Sequence, residues 1–180
     1  AEAGFDPDGR RLFSGVVDHR DWIIDGHRLA QGQALLPGTG YLELLAEALA
    51  EVEAPGPLRI TDLTFLRPLL VADGEQARIR VRLTRTQGGY DAEIRSAVAV
   101  DGSTGWLLHA EARVETAAAA PPALDIAAIR ARCPQPERGE GLVTDQERHL
   151  RFGPRWRVLQ TRALGEGEGI ADLALPAQFR

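Results

Sequence analysis

Residues 38–53 place apolar side chains at i, i+3, i+4 and i+7, and much of the chain around them alternates at period two. Tyr41, Leu42, Leu44, Leu45, Ala48, Leu49 and Val52 form the apolar side of the first pattern, which is the mark of an amphipathic helix. Glu43, Glu47, Glu51 and Glu53 fall mostly on the other faces. Pro37-Gly38-Thr39-Gly40 opens the segment, and Pro55-Gly56-Pro57 ends it because proline cannot continue the hydrogen-bond ladder. A helix of about 16 residues is close to 24 Å long. A sheet wrapped around one such buried helix is the natural way to cover its apolar side.

The strands to do so are readable. Ile79, Val81 and Leu83 alternate with Arg78, Arg80, Arg82 and Arg85, a half-exposed antiparallel strand. Gln87-Gly88-Gly89 turns the chain into a strand at 90–100, and Asp101-Gly102 turns it again into a strand at 106–115. Residues 58–71 read as one long strand, bent or at an edge near Pro68. A shorter strand at 12–17 precedes the helix and pairs with one of the four that follow. The expected fold class is therefore α+β.

Residues 117–124, AAAAPPAL, break this composition. The reading is a first domain over 1–116, a linker over 117–141 and the start of a second domain over 142–180. Within the linker, Asp125 caps a short helix to Arg132, and 133–141 is a loop. In the last segment Phe152-Gly153-Pro154 is a turn, and strands at 156–164 and 170–175 flank a hairpin at Gly165–Gly169. Two strands do not make a stable unit alone, so the second domain is expected either to pack on the first or to be incomplete.

Composition removes several functions. All 21 basic residues are arginine, so no Walker lysine, Schiff-base lysine or pyridoxal phosphate site is available. Lysine, methionine and asparagine are all absent. Their codons are mostly AT-rich, which points to a GC-rich bacterial genome, and the missing methionine implies either a trimmed product or a piece of something longer. A net charge of −5 argues against a general nucleic-acid binder. No apolar run approaches a membrane span, and no signal peptide opens the chain. Cys133 is the single cysteine, so no disulfide forms within the chain.

The segment with the most chemistry is Trp22–Glu43, WIIDGHRLAQGQALLPGTGYLE. It sets an imidazole, His27, just ahead of a glycine-rich helix start. An imidazole removes protons at neutral pH, and the free N–H groups of a helix start hold a developing oxyanion. The pair suits proton abstraction beside a thioester carbonyl. A lone histidine is more often structural, and that is the reading for His19, His109 and His149. Gly38 and Gly40 have a plain alternative as tight packing between helix and sheet. Spacing around His19 and His27 fits no metal site. Gly165–Gly169 is a turn rather than a phosphate loop, and no serine sits in a nucleophile elbow.

His27, Gly32, Pro37 and Gly38 resemble the motif His-x-x-x-Gly-x-x-x-x-Pro-Gly of the dehydratase domains of modular polyketide synthases, with one extra residue between His27 and Gly32. Gly40–Leu44 is similar to that family's helix start. Phe152-Gly153-Pro154-Arg155-Trp156 resembles its second motif, Tyr-Gly-Pro-x-Phe, with the phenol replaced by Phe152. The resemblance implies a double hotdog, of which this chain holds the first hotdog and part of the second.

It further implies loss of water from a β-hydroxyacyl thioester carried on the phosphopantetheine of an acyl carrier protein, with no cofactor or metal bound by the domain itself. His27 would take the α-proton and the Gly38 N–H would polarise the carbonyl. Gly32, Pro37, Phe152, Gly153, Pro154 and Trp156 would shape the substrate tunnel. The family's proton donor is an aspartate in a His-Pro-x-x-x-Asp segment beyond the second motif, and Arg180 comes before it. The chain alone is thus expected to lack turnover. Arg151, Arg155 and Arg157 flank the second motif where an acidic carrier protein would approach. The expected setting is a cytoplasmic bacterial megasynthase, a homodimer with further modules. Alternatives are an isomerising or cyclising relative on the same fold, and a non-catalytic hotdog that scaffolds or binds acyl chains.

Overall fold

A computed structural model describes residues 2–5, 10–53, 56–139 and 145–180. In chain order the elements are β1 (Glu2–Phe5), β2 (Arg11–Asp18), α1 (Trp22–Asp25), β3 (His27–Leu29), β4 (Ala34–Leu35), α2 (Gly38–Ala50), β5 (Leu58–Phe65), β6 (Leu70–Val71), β7 (Gln76–Thr86), β8 (Gly89–Val100), β9 (Ser103–Thr116), α3 (Ile126–Arg132), β10 (Glu137–Arg138), β11 (Leu150–Phe152), β12 (Leu159–Leu164) and β13 (Gly169–Leu173). They fall into two compact units, residues 1–25 with 33–120 and residues 26–32 with 121–180. Pro55, expected to end the helix, and Leu142, expected to open the second domain, lie outside the described residues.

The first unit is an antiparallel sheet in the order β1-β2-β7-β8-β9-β5 with α2 against it. Alternation does what the sequence implies. Ile79, Val81 and Leu83 of β7 and Tyr90, Ala92 and Ile94 of β8 are buried with Tyr41, Leu45, Ala48 and Leu49 of α2. On the opposite face Arg82 pairs with Glu93, Arg95 joins the same carboxylate, and the Arg80 guanidinium lies 3.8 Å over the Trp106 ring. The β8–β9 turn has φ of 47° at Asp101 and 78° at Gly102, the double left-handed conformation that matches the twist of a hairpin. A long helix held by one curved antiparallel sheet is the hotdog arrangement.

Three details differ from the sequence expectation. Leu42 is 37% exposed, because it projects about 100° around the helix from Tyr41. The helix ends at Ala50, with Val52 and Glu53 donating back to the Leu49 carbonyl. The long strand at 58–71 is two strands, since Pro68 has no N–H for a ladder. β5 stays on the edge of the main sheet and β6 pairs with β4. Between them the Leu66 and Arg67 N–H groups donate to the His109 carbonyl at 2.8 and 3.2 Å. His109 is the extra residue of a bulge in β9, where pairing jumps from Ile94↔Ala110 to Arg95↔Leu108.

In the second unit β10, β12 and β13 form an antiparallel sheet, and β11 pairs with β3. Asp125 caps α3 by accepting from the Ala128 N–H at 2.9 Å. The segment expected as a linker carries α3 and β10, and three ion pairs tie it down: Arg130–Asp172, Arg132–Glu168 and Arg162–Glu137. Cys133, expected in a polar loop, is only 2% exposed. The strand expected from Trp156 begins at Leu159, because Pro154–Trp156 is a single 3-10 turn.

Candidate active site

His27 opens β3, and its position is set by β11. The two strands run antiparallel with Leu150↔Leu29, Arg151↔Arg28 and Phe152↔His27. The next residue, Gly153, donates its N–H to the Gly26 carbonyl at 2.7 Å, and a Cβ on Gly153 would stand 2.8 Å from the Gly26 Cα. Only glycine permits that approach. Pro154 then starts the 3-10 turn, closed by the Trp156 N–H to the Gly153 carbonyl at 3.0 Å, which returns the indole to the histidine.

The result is a three-ring cluster in which the imidazole packs against two neighbouring aromatic rings. Its centroid is 5.5 Å from Phe152 at an interplanar angle of 55° and 5.5 Å from Trp156 at 48°; the two aromatics are 6.4 Å apart. These separations and tilts suit aromatic packing. His27 is 8% exposed. The rings fix the imidazole in a largely apolar surround, where a proton acceptor meets little competing water. The replacement of tyrosine by Phe152 leaves an apolar ring at this place.

Gly32 ends the loop after β3 with φ of +100°, a conformation that favours glycine. Its N–H donates to the Leu29 carbonyl at 2.8 Å, and its carbonyl accepts from Arg28 at 2.7 Å. The structure thus gives Gly32 a turn to make.

Pro37 and Gly38 belong to the first unit. Pro37 is buried at the N-cap of α2, and Gly38 is the exposed first residue of the helix. No described side chain caps this end; the Gly40 N–H turns back to the Pro37 carbonyl at 2.8 Å, and the Gly38 and Thr39 N–H groups ahead of it have no helical acceptor. Of the two glycines with a packing alternative, Gly40 fits it. It is buried, and a Cβ there would lie 2.7 Å from Leu36 Cδ1 and 3.3 Å from Ile23 Cδ1. At Gly38 the nearest atom to such a Cβ is the Phe65 Cζ, at 3.4 Å. Phe65 was not visible in the sequence as a site residue. Its only signal is an aromatic at the end of a strand, close before Pro68.

Arg151 and Arg157 are exposed, and the Arg155 guanidinium lies 5.8 Å over the Phe179 ring. Three other titratable groups have side-chain partners. The buried His109 ring has Nε2 2.7 Å from Ser96 Oγ and Nδ1 3.3 Å from the Arg67 carbonyl, and burial pushes its pKa down. One tautomer satisfies both contacts, with Nδ1–H donating to Arg67 and the Ser96 hydroxyl donating to Nε2. His19 Nδ1 is 3.2 Å from the Asp18 carboxylate. Asp172 is held at about 2 by hydrogen bonds from Arg130 and Thr161.

Residues 3–97 match the family profile of the polyketide synthase dehydratase domain. The polyketide synthase PksN of Bacillus subtilis is 27% identical over 170 residues, 91% of this chain and 3% of that protein. The mycoketide-CoA synthase of Mycobacterium tuberculosis is 31% identical over 160 residues, 87% of this chain and 4% of that protein. Among solved structures, the dehydratase domain from the CurF module of the curacin polyketide synthase superposes with a TM-score of 0.84 at 20% identity, covering 99% of this chain and 66% of that one. A trans-AT polyketide synthase dehydratase domain from Brevibacillus brevis gives 0.83 at 21% identity, covering 98% and 67%. The chain therefore spans a few per cent of the curated relatives and about two thirds of the solved domains. With the long helix, the sheet around it and the profile match over more than half its length, this chain belongs to the polyketide synthase dehydratase domain family.

Proposed function

We propose that the chain takes part in removing water from a β-hydroxyacyl thioester to give an α,β-unsaturated acyl thioester. His27 takes the proton from C2, the C2–C3 double bond forms, and the C3–O bond breaks. The departing hydroxyl takes up a proton and leaves as water. The Gly38 N–H donates to the thioester oxygen, where negative charge gathers as the C2 proton departs. The observation that carries the reading is His27 packed against both Phe152 and Trp156, which joins the chain's two motifs at one imidazole. A CurJ dehydratase with histidine replaced by phenylalanine and a CurK dehydratase with aspartate replaced by asparagine are each described as inactive mutants, which supports a base and an acid as the working pair. Asp125 and Asp172 of the second unit are poor choices for the acid. Asp125 caps α3, and Asp172 stays ionised at neutral pH.

The thioester is delivered on the phosphopantetheine of an acyl carrier protein within a multi-module synthase. Arg151, Arg155 and Arg157 steer that acidic partner. A second reading, a non-catalytic hotdog, is favoured by Phe152, which removes the hydroxyl of the motif.

One assay needs no proton donor for the hydroxyl. In deuterium oxide, the chain should speed exchange of the C2 protons of butyryl-pantetheine, a thioester with nothing to eliminate. His27→Gln should lower that rate by at least about 100-fold, the scale of general base catalysis. Equal exchange by a folded His27→Gln variant would remove His27 from the mechanism and leave the non-catalytic reading.

A further inference from the structure

Phe65 is 53% exposed at the end of β5, the edge strand of the main sheet. The tip of its ring rests on the start of α2, 3.4 Å from where a Gly38 Cβ would be. The buried Tyr41 meets it edge-on, with centroids 5.2 Å apart and planes at 72°. One side of the ring is thus held by the helix start while much of its surface stays open.

The backbone spends unusual geometry on this placement. Phe65 pairs with Ala110, and an irregularity sits on each side of that pair. In β5 the register shifts between Thr61 and Thr64, with φ of +52° at Asp62. In β9 the bulge is His109. Bulges re-aim side chains. The residues just after Phe65 are then pinned to the bulge, because the His109 carbonyl takes the Leu66 and Arg67 N–H groups and its ring reaches the Arg67 carbonyl. Ser96 fixes that ring from the other side. Leu66 and Leu70, 44% and 38% exposed, continue the apolar character beyond Phe65.

We propose that Phe65 is the wall along which the acyl chain of the thioester lies, and that it sets the enzyme's preference for chain length. This rests on the reading of Gly38 as the carbonyl-binding residue. A carbonyl oxygen about 2.9 Å from the Gly38 nitrogen lets the first few chain carbons run over a ring whose tip lies 3.4 Å from the position of a Gly38 Cβ. The ligand is an apolar acyl chain of four or more carbons on a pantetheine thioester. A shorter acyl group reaches Gly38 without covering the ring.

The test uses the 180-residue chain labelled with nitrogen-15 and ring-carbon-13 phenylalanine, titrated with acetyl-, butyryl- and hexanoyl-pantetheine. The Gly38 amide should shift with all three, and the Phe65 ring with butyryl and hexanoyl only. Hexanoyl should bind about fivefold more tightly than acetyl, the effect of covering roughly 40 Å² of apolar surface. Phe65→Ala should erase that preference and Phe65→Leu should keep most of it. The ring-shift measurement needs no variant, so it decides the matter even if Phe65→Ala is unstable. A shifting Gly38 with a silent Phe65 ring, or a preference unchanged in Phe65→Ala, overturns the wall while leaving the carbonyl site standing. Silence of Gly38 with every probe overturns the carbonyl site and the wall with it. If Phe65→Ala alters only self-association of the chain, the ring is a protein contact and the proposal fails.

Discussion

Phe152 is the directly opposed antiparallel partner of His27, and their ring centroids lie 5.5 Å apart. Opposed residues on neighbouring strands keep their separation as long as the strands stay paired. The histidine is therefore positioned both by strand register, through Phe152, and by the single turn that carries Trp156.

Trp156→Leu should free one side of the imidazole without unpairing β3 from β11. We expect the deuterium exchange rate to fall about 10–100-fold, the scale of a small misplacement of a catalytic group. Shifts of the Gly38 amide on thioester binding should be unchanged, since Gly38 lies in the other unit. Trp156→Phe, which restores the usual motif residue, should retain most of the rate. A Trp156→Leu chain with full exchange activity would show that the indole does not position the base.

Gly153→Ala tests the strand side. The added methyl would meet the Gly26 Cα at 2.8 Å, a backbone atom that cannot swing away. Overpacking of this kind costs about 1–3 kcal/mol. Urea unfolding should show that loss, and exchange activity should fall with it because Phe152 and His27 move apart. Unchanged stability would mean that the two strands are less closely joined than their hydrogen bond at 2.7 Å requires.

The helix and its sheet were legible because burial there follows simple periods. Leu45 and Leu49 come from spacing of four on α2, and Ile79, Val81 and Leu83 from spacing of two on β7. His27, Gly38 and Phe152 were legible through motifs. Phe65 was not, for a physical reason: the bulges at Asp62 and His109 break the alternation that tells which face a strand residue takes. His109 was read as structural, and it is, but its bond to Ser96 spans 13 residues and two strands. The break at Pro68 was visible, whereas the different partner of β6 depends on β4, a two-residue strand too short to show a period.

Leu45→Ala tests the core. Leu45 is 1% exposed at the centre of the helix face. Its truncation should cost about 2–5 kcal/mol in urea denaturation, transfer term plus cavity. A cost under about 1 kcal/mol would mean that α2 is not the buried helix of the fold.

Acid should weaken the fold in two separate windows. Burial lowers the His109 pKa below its ordinary 6.5, and its ring is already committed to Ser96 and Arg67 in the neutral form. Between that lowered value and 6.5 the unfolded chain binds a proton that the folded chain refuses, so stability falls as pH drops below about 6.5. Asp172 acts lower. Its folded value of about 2 against an ordinary 3.8 makes its contribution complete above about 4 and lost as pH falls toward 2. Melting temperatures from pH 3 to 8 should separate them. His109→Gln keeps a donor and an acceptor for Arg67 and Ser96, so it should fold and flatten the slope just below pH 6.5 while leaving the decline below pH 4. Asp172→Asn should leave the first slope and reduce, without abolishing, the decline below pH 4, because Asp18, Glu93 and Glu168 are also held down by arginine partners. Parallel profiles for wild type and His109→Gln would show that the buried ring does not carry the first window.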